Sequence, residues 1–231
     1  MKKTLKSAFI ATLPVLTGYL VLGFGFGIIS ENNGYGFLWV LMMSVFIYAG
    51  SMQYVAVSLL TAGASLIATA LTTLMVNARH LFYGITMISK YKNTGKAKPY
   101  LIFALTDETY SLVCTGKTED GVDYKKFCFF LTLFNHIYWI TGSALGALVG
   151  TLLPWDFSGV EFAMTALFIT VFVEQWKGTK NHLPAIIGVI MSVLCLVIFG
   201  RDNFLIPSMI AISAALSIGK PLVDRKEGDA E

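Results

Sequence analysis

Residues 8–29 read AFIATLPVLTGYLVLGFGFGII, a run without a single charge. At the rise of an α-helix such a run covers about 30 Å, the thickness of a bilayer's hydrocarbon core. The lysine-bearing stretch Met1-Lys2-Lys3-Thr4-Leu5-Lys6 ahead of it imitates a secretory signal. The run nevertheless continues to Ile29 with no small-residue cleavage site, so it reads as a retained first span.

The rest of the chain extends this reading. Of its 231 residues 55% are hydrophobic and 13% charged, with a mean hydropathy of +0.68. Soluble domains carry about 25% charged residues, so the solvent of this chain is lipid. Further apolar segments occupy 37–62, 64–88, 100–116, 127–152, 160–176, 183–199 and 204–219. In lipid every backbone amide needs a partner within the protein, which long apolar runs supply as helices. The alternating polarity of a barrel strand is absent. The expected fold is an all-α polytopic membrane helix bundle of about seven or eight hydrophobic segments. Residues 1–231 leave no room for a soluble catalytic domain and read as one integral membrane domain.

Basic residues orient the bundle. Lys2, Lys3 and Lys6 place the N-terminus in the cytoplasm; Lys117, Lys125 and Lys126, then Lys177 and Lys180, then Lys220, Arg225 and Lys226 mark further cytoplasmic loops. This leaves 154–159 and 201–203 outside. The stretch 64–116 breaks the pattern. If 64–88 and 100–116 each cross fully, Lys90, Lys92, Lys96 and Lys98 fall outside, against the charge rule. If both re-enter, turning back near Asn77 and within 100–116, that loop is cytoplasmic. Both versions put irregular backbone at membrane depth, tolerated only where protein buries it or a wet cavity borders it.

Small residues mark other irregular points. Tyr48-Ala49-Gly50-Ser51-Met52-Gln53 interrupts the aliphatic run of 37–62, either as a close helix contact or as a local unwinding that frees backbone groups for a ligand. Gly18, Gly23, Gly25 and Gly27 stud the first segment, and Gly142, Ala144, Gly146 and Gly150 stud 127–152. The recurrence hints at two related halves, in parallel or inverted order. Gly23 to Gly27 is not a dinucleotide loop, since position 28 is Ile and no strand precedes it.

Charge at depth is expensive, so the polar clusters are candidates for function. In Asn77-Ala78-Arg79-His80, Asn77 and His80 share one helix face while Arg79 points about 100° from His80. A guanidinium there can grip a ligand carboxylate through two hydrogen bonds, or pair permanently with an internal acid. In Thr106-Asp107-Glu108-Thr109-Tyr110-Ser111, Asp107, Tyr110 and Ser111 share a face and Glu108 sits about 100° round. Adjacent carboxylates at depth suit proton exchange; alternatively one neutralises Arg79 and the other faces a loop. Asn135, His136, Glu174 and Gln175 are isolated, with His136 read as a packing residue and Glu174 and Gln175 placed at the interface beside Lys177. Cys114, Cys128 and Cys195 lack metal or redox spacing and read as small buried hydrophobes. No zinc, nucleophile-elbow or cofactor motif appears. The run from Ser111 to Thr118 matches a phosphate loop only by chance, with Ser111 in place of its first glycine. A net charge of +3 follows from loop lysines and requires no nucleic acid.

Three of these stretches, 48–53, Asn77 to Gly84 and Ala104 to Tyr110, resemble the signatures of the AzlC family, the large subunit of bacterial branched-chain amino-acid exporters. Order, spacing and length agree along the whole chain, most specifically in its first half. The resemblance implies a secondary carrier of the bacterial inner membrane that exports valine, leucine or isoleucine, with methionine and leucine analogues in the wider family. It also implies a small hydrophobic AzlD-type partner subunit, and no cofactor. The expected substrate-binding residues are Gly50, Ser51, Gln53, Asn77, Arg79, His80, Tyr83 and Thr106, with Phe82 or Tyr83 against the apolar side chain. Asp107 and Glu108 are the expected proton-coupling residues. Two rival classes stand beside this non-enzymatic carrier: a non-transporting assembly subunit, and a membrane-embedded enzyme, which no motif supports.

Overall fold

A computed structural model of the chain describes residues 1–92, 94–115, 121–152 and 181–228, together with 162, 165, 166, 169, 172, 173, 176 and 177. The described residues form helices and contain no strand: α1 (Lys2–Asn32), α2 (Phe37–Phe46), α3 (Gly50–Thr61), α4 (Leu66–Val76), α5 (Arg79–Lys90), a 3-10 turn at Gly95–Ala97, α6 (Lys98–Phe103), α7 (Asp107–Thr115), α8 (Tyr124–Leu152), α9 (Leu183–Asn203) and α10 (Leu205–Gly228). The expected all-α membrane bundle is what the chain forms. Among the described residues three helices are long and apolar enough to cross a bilayer: Lys2–Asn32, Tyr124–Leu152 and Leu183–Gly200.

Three further apolar segments are divided rather than continuous. Segment 37–62 becomes α2 and α3, 64–88 becomes α4 and α5, and 100–116 becomes α6 and α7, with breaks at 47–49, 77–78 and 104–106. Local chemistry sets several ends. α1 stops in a Schellman turn, in which Gly34 at φ +82° lets the Gly34 amide donate to Glu31 O and the Tyr35 amide to Ser30 O. α3 stops the same way at Gly63. Ser65 caps α4 by accepting from the Ala68 amide, and Asp123 caps α8 by accepting from the amides of Lys125 and Lys126. Those contacts hold the exposed Asp123 carboxyl below its ordinary range, the Lys126 amide contributing most.

Two compact units divide the chain, residues 1–164 and 165–231. The first is organised on α1 against α8. Their glycines meet backbone: a Cβ on Gly23 would lie 2.9 Å from the Ser143 nitrogen, one on Gly142 2.8 Å from the Leu20 carbonyl oxygen, and one on Gly146 would overlap the Phe24 carbonyl. Without a hydrophobic drive between helices in lipid, such close approach supplies the dispersion contact that joins them. Partners advance together along both helices, from Thr4 at Asp123, through Phe9 at Phe134 and Thr12 at Tyr138, to Glu31 at Gly150. α1 and α8 therefore run parallel, and the lysines at their starts share one end.

In the second unit, α9 and α10 pack together, and Gly200 at φ +73° and ψ 175° interrupts α9. Val197 on α9 is 78% exposed, a surface suited to lipid. Cys195 and Cys128 are buried and Cys114 is half-buried; all three are free thiols. The stretch 154–159, expected outside the membrane, and the residues Glu174 and Gln175 lie outside the described residues.

Candidate functional site

Three of the divided segments deliver a helix start to one place. α3 begins at Gly50, α5 at Arg79 and α7 at Asp107. Arg79 joins them: its Nη1 pairs with Asp107 Oδ2, and its Nη2 donates to Ser51 Oγ at 2.9 Å. The two charged side chains are 32% and 22% exposed, so the pair is largely withdrawn into protein. Arg79 Nε and Asp107 Oδ1 are buried and have no hydrogen-bond partner among the described residues. Each ion thus keeps hydrogen-bonding capacity in reserve, which buried polar groups rarely do.

α5 and α7 run side by side in the same direction. Arg79 and Asp107 meet at their starts, Tyr83 stacks on Tyr110 at 4.3 Å in the middle, and Lys90 Nζ donates to Val113 O at 3.2 Å at their ends. Full crossings by 64–88 and 100–116 would have made α5 and α7 antiparallel, so parallel packing matches the re-entrant alternative. Met87, Tyr91, Val113, Phe127 and Cys128 share a core cluster with Ala8, which brings the Lys90 end beside the starts of α1 and α8. The basic loops in question collect at one end, as the charge rule asks.

Glu108 turns the other way. Its Oε2 accepts from Tyr19 Oη at 2.6 Å, and Tyr19 Oη is also 2.7 Å from Thr106 Oγ1. Tyr19 is buried near the middle of α1, so the second acid faces the core rather than a loop. Thr106 caps α7 by accepting from the Thr109 amide at 3.3 Å, and Thr109 Oγ1 accepts from Asn135 Nδ2 at 3.0 Å. The site therefore lies against the midpoints of the two long helices, the depth at which carriers bind cargo.

α8 also holds the first break open. The Tyr48 amide donates to Met43 O instead of to Ser44 O, and His136 Nε2 approaches that freed Ser44 carbonyl at 3.2 Å. Because a carbonyl only accepts, Nε2 carries the proton and Nδ1 accepts from Tyr100 Oη at 3.1 Å. His136 is thus a hydrogen-bonded packing residue, its ring 4.1 Å from that of Tyr48, which sits at φ +45°. Gln53 is fully buried, its Oε1 accepting from Trp139 Nε1 at 3.0 Å and its Nε2 facing Ser44 Oγ at 3.5 Å. Gly50 admits the Trp139 ring, which a Cβ would meet at 3.3 Å.

Of the expected site residues, Ser51, Arg79 and Asp107 form the centre, Glu108 and Thr106 form an adjoining hydroxyl-lined cluster, and Tyr83 reaches from α5 to stack on Tyr110 of α7. His80 turns back on its own start, with Nδ1 3.2 Å from Asn77 O and its ring 5.8 Å from Tyr83. Asn77 ends α4, and its carbonyl also accepts the His80 amide. Gly50 and Gln53 seat the α3 start against α8. The side chain of Phe82 lies outside the described residues. Sequence reasoning missed Tyr19 and the anchoring role of Trp139. Neither carries a charge that would flag it in an apolar run.

Interrupted helices converging on a partly buried ion pair, midway along two long apolar helices, define a polytopic helical membrane transport protein. The chain matches the AzlC protein family over residues 14–153, and it belongs to that family. It is 42% identical over 222 residues to the branched-chain amino acid transport protein AzlC of Bacillus subtilis, covering 96% of this chain and 87% of that one. An uncharacterized membrane protein of Helicobacter pylori is 44% identical over 216 residues, 94% of this chain and 95% of its own. The inner membrane protein YgaZ of Escherichia coli is 27% identical over 177 residues, 74% and 72% of the two chains. No solved structure matches the chain. The family match contains every residue of the site.

Proposed function

We propose that this protein is a secondary carrier that exports branched-chain amino acids across a bacterial inner membrane in exchange for protons. Its N-terminus is cytoplasmic, 1–231 act as one transport domain, and a small hydrophobic AzlD-type subunit completes it. The observation that carries this reading is the Arg79–Asp107 pair with its two unused buried atoms, Arg79 Nε and Asp107 Oδ1. An α-amino acid offers the same two charges at neighbouring atoms. Its carboxylate replaces Asp107 on the guanidinium fork, and its ammonium replaces Arg79 on the carboxylate.

The exchange keeps charges balanced throughout. Empty, the two protein ions neutralise each other; loaded, the zwitterion lies between them. Neither state leaves Arg79 or Asp107 unpaired at depth, so the pair itself adds no large electrostatic cost to reorientation. Ser51 steadies the guanidinium, and Tyr83 on Tyr110 offers an aromatic wall to the aliphatic side chain. Asn77 and His80 shape the start of α5, while Gly50, Gln53 and Thr106 place the helix starts. Glu108, next to Asp107 and in contact with Tyr19, is the proton-exchanging acid.

Counterflow of radiolabelled valine in vesicles containing the chain and the small subunit tests the carrier. Leucine, isoleucine and valine should drive uptake, and glutamate or lysine should not. Absence of counterflow would favour an assembly subunit, and chemical turnover of substrate would favour an enzyme. Collapsing the pH gradient at constant membrane potential should slow net export; an unchanged rate would exclude proton coupling.

A further inference from the structure

The hydroxyl of Tyr19 has one proton and two acceptors within reach, Glu108 Oε2 at 2.6 Å and Thr106 Oγ1 at 2.7 Å. It can donate to only one of them at a time. We infer that Tyr19 is a two-position switch that reports the protonation of Glu108 to the start of α7. The inference rests on the proton-coupled reading above and adds a residue that the reading does not use.

The two positions follow from donor counting. With Glu108 ionised, the carboxylate can only accept, so Tyr19 donates to Oε2 and Thr106 is free to donate to Tyr19 Oη. When a proton from water bonds to Oε2, the carboxyl group becomes the donor and Tyr19 Oη its acceptor. The phenolic O–H then rotates about its C–O bond toward Thr106 Oγ1, which must direct its own hydroxyl proton to Thr109 Oγ1, 3.1 Å away. No proton leaves Tyr19. The single bond made is the new O–H on Glu108, and its proton returns to water on release.

The position of Thr106 gives the switch its reach. Its Oγ1 caps α7 by accepting from the Thr109 amide, and Thr109 is tied to Asn135 of α8. Asp107, which holds Arg79, is the next residue in the chain. Protonation of Glu108 therefore alters the donors at the cap of the helix that presents Asp107 to the substrate. The groups facing Glu108 are Tyr19 from α1, Tyr48 from the α2–α3 break, and Asp107 on its own helix, with Arg79 beyond Asp107. Tyr48 Oη is buried beside the same groups and, among the described residues, has no hydrogen-bond partner of its own.

Tyr19→Phe keeps the ring and its edge contact with Trp139 and removes only the switch. Two fluxes are compared in vesicles bearing the full chain and its small subunit: valine counterflow at equal pH, which needs no net proton movement, and net valine flux driven by a pH gradient. Coupling free energies of the usual size predict that Tyr19→Phe lowers gradient-driven flux by about tenfold or more and leaves counterflow within about twofold. Parallel loss of both fluxes would reduce Tyr19 to a packing residue and overturn the inference, as would retention of both. Substituting 3,5-difluorotyrosine at position 19 preserves shape and hydroxyl while making it a stronger donor, and should change the gradient-driven flux alone; no change would also overturn it. Native chain that shows counterflow but no response to a pH gradient would instead remove the proton-coupled reading itself.

Discussion

Replacing Arg79 and Asp107 singly and together separates a pair that binds substrate from one that only braces the fold. Asp107→Asn removes the counter-charge and leaves the guanidinium with neutral acceptors, Ser51 Oγ at 2.9 Å among them. Breaking a fully buried pair costs about 3–5 kcal/mol, and the 32% and 22% exposure of these side chains lowers the expectation to about 2–3 kcal/mol. Arg79→Gln strands the carboxylate and should cost a similar amount. The double variant Arg79→Gln with Asp107→Asn strands neither charge, so it should recover about 1–2 kcal/mol relative to the sum of the singles. Unfolding of the purified proteins in detergent measures that cycle. Valine counterflow then decides the role. Two charge-assisted hydrogen bonds to substrate are worth at least about 3 kcal/mol, so the refolded double variant should lose counterflow by more than about a hundredfold. A double variant that is stable and still exchanges valine within about tenfold of the native chain would show that the pair touches only itself.

Packing and anchoring predictions can be checked by the same unfolding assay. Gly146→Ala places a methyl on the Phe24 carbonyl, forces α1 from α8 and should lower stability by about 1–3 kcal/mol, whereas Gly188→Ala, with open space around it, should change it by less than about 0.5 kcal/mol. Gln53→Leu leaves the buried Trp139 Nε1 without its acceptor and should cost about 1–3 kcal/mol; combining it with Trp139→Phe should restore part of the loss, and strict additivity would argue against the hydrogen bond.

The breaks show how far sequence reaches. Gly50-Ser51, Asn77-Ala78 and Thr106-Asp107 stand out in apolar runs because small and polar residues are costly or destabilising within a lipid-facing helix, and each lies at or beside a helix start. The conflict between the basic loop at Lys90–Lys98 and full crossings was visible too. Its resolution was not, because the parallel run of α5 beside α7 rests on contacts between residues far apart in sequence, such as Tyr83 with Tyr110. Tyr48 illustrates the other limit. A tyrosine gives no warning of φ +45°, which is imposed by its packing on His136 and by the rerouted amide bond to Met43 O.

The sequence by itself determined the solvent, the helical class, the three interruptions and the charged residues set into them. Lipid makes those properties local: a segment must satisfy its own backbone, and a charge among apolar residues announces itself. Only the tertiary structure decided the partners. Arg79 could have met either acid, and it meets Asp107 because α5 and α7 lie parallel; Glu108, one residue on and about 100° round the helix, is thereby turned toward Tyr19 on α1. That choice depends on glycine-mediated approach of α1 to α8 and on the side chains of Asn135, His136 and Trp139, which fasten the broken helices to α8. Such pairings join residues separated by as many as 126 positions, as Thr12 and Tyr138 are, a distance over which no local pattern carries information.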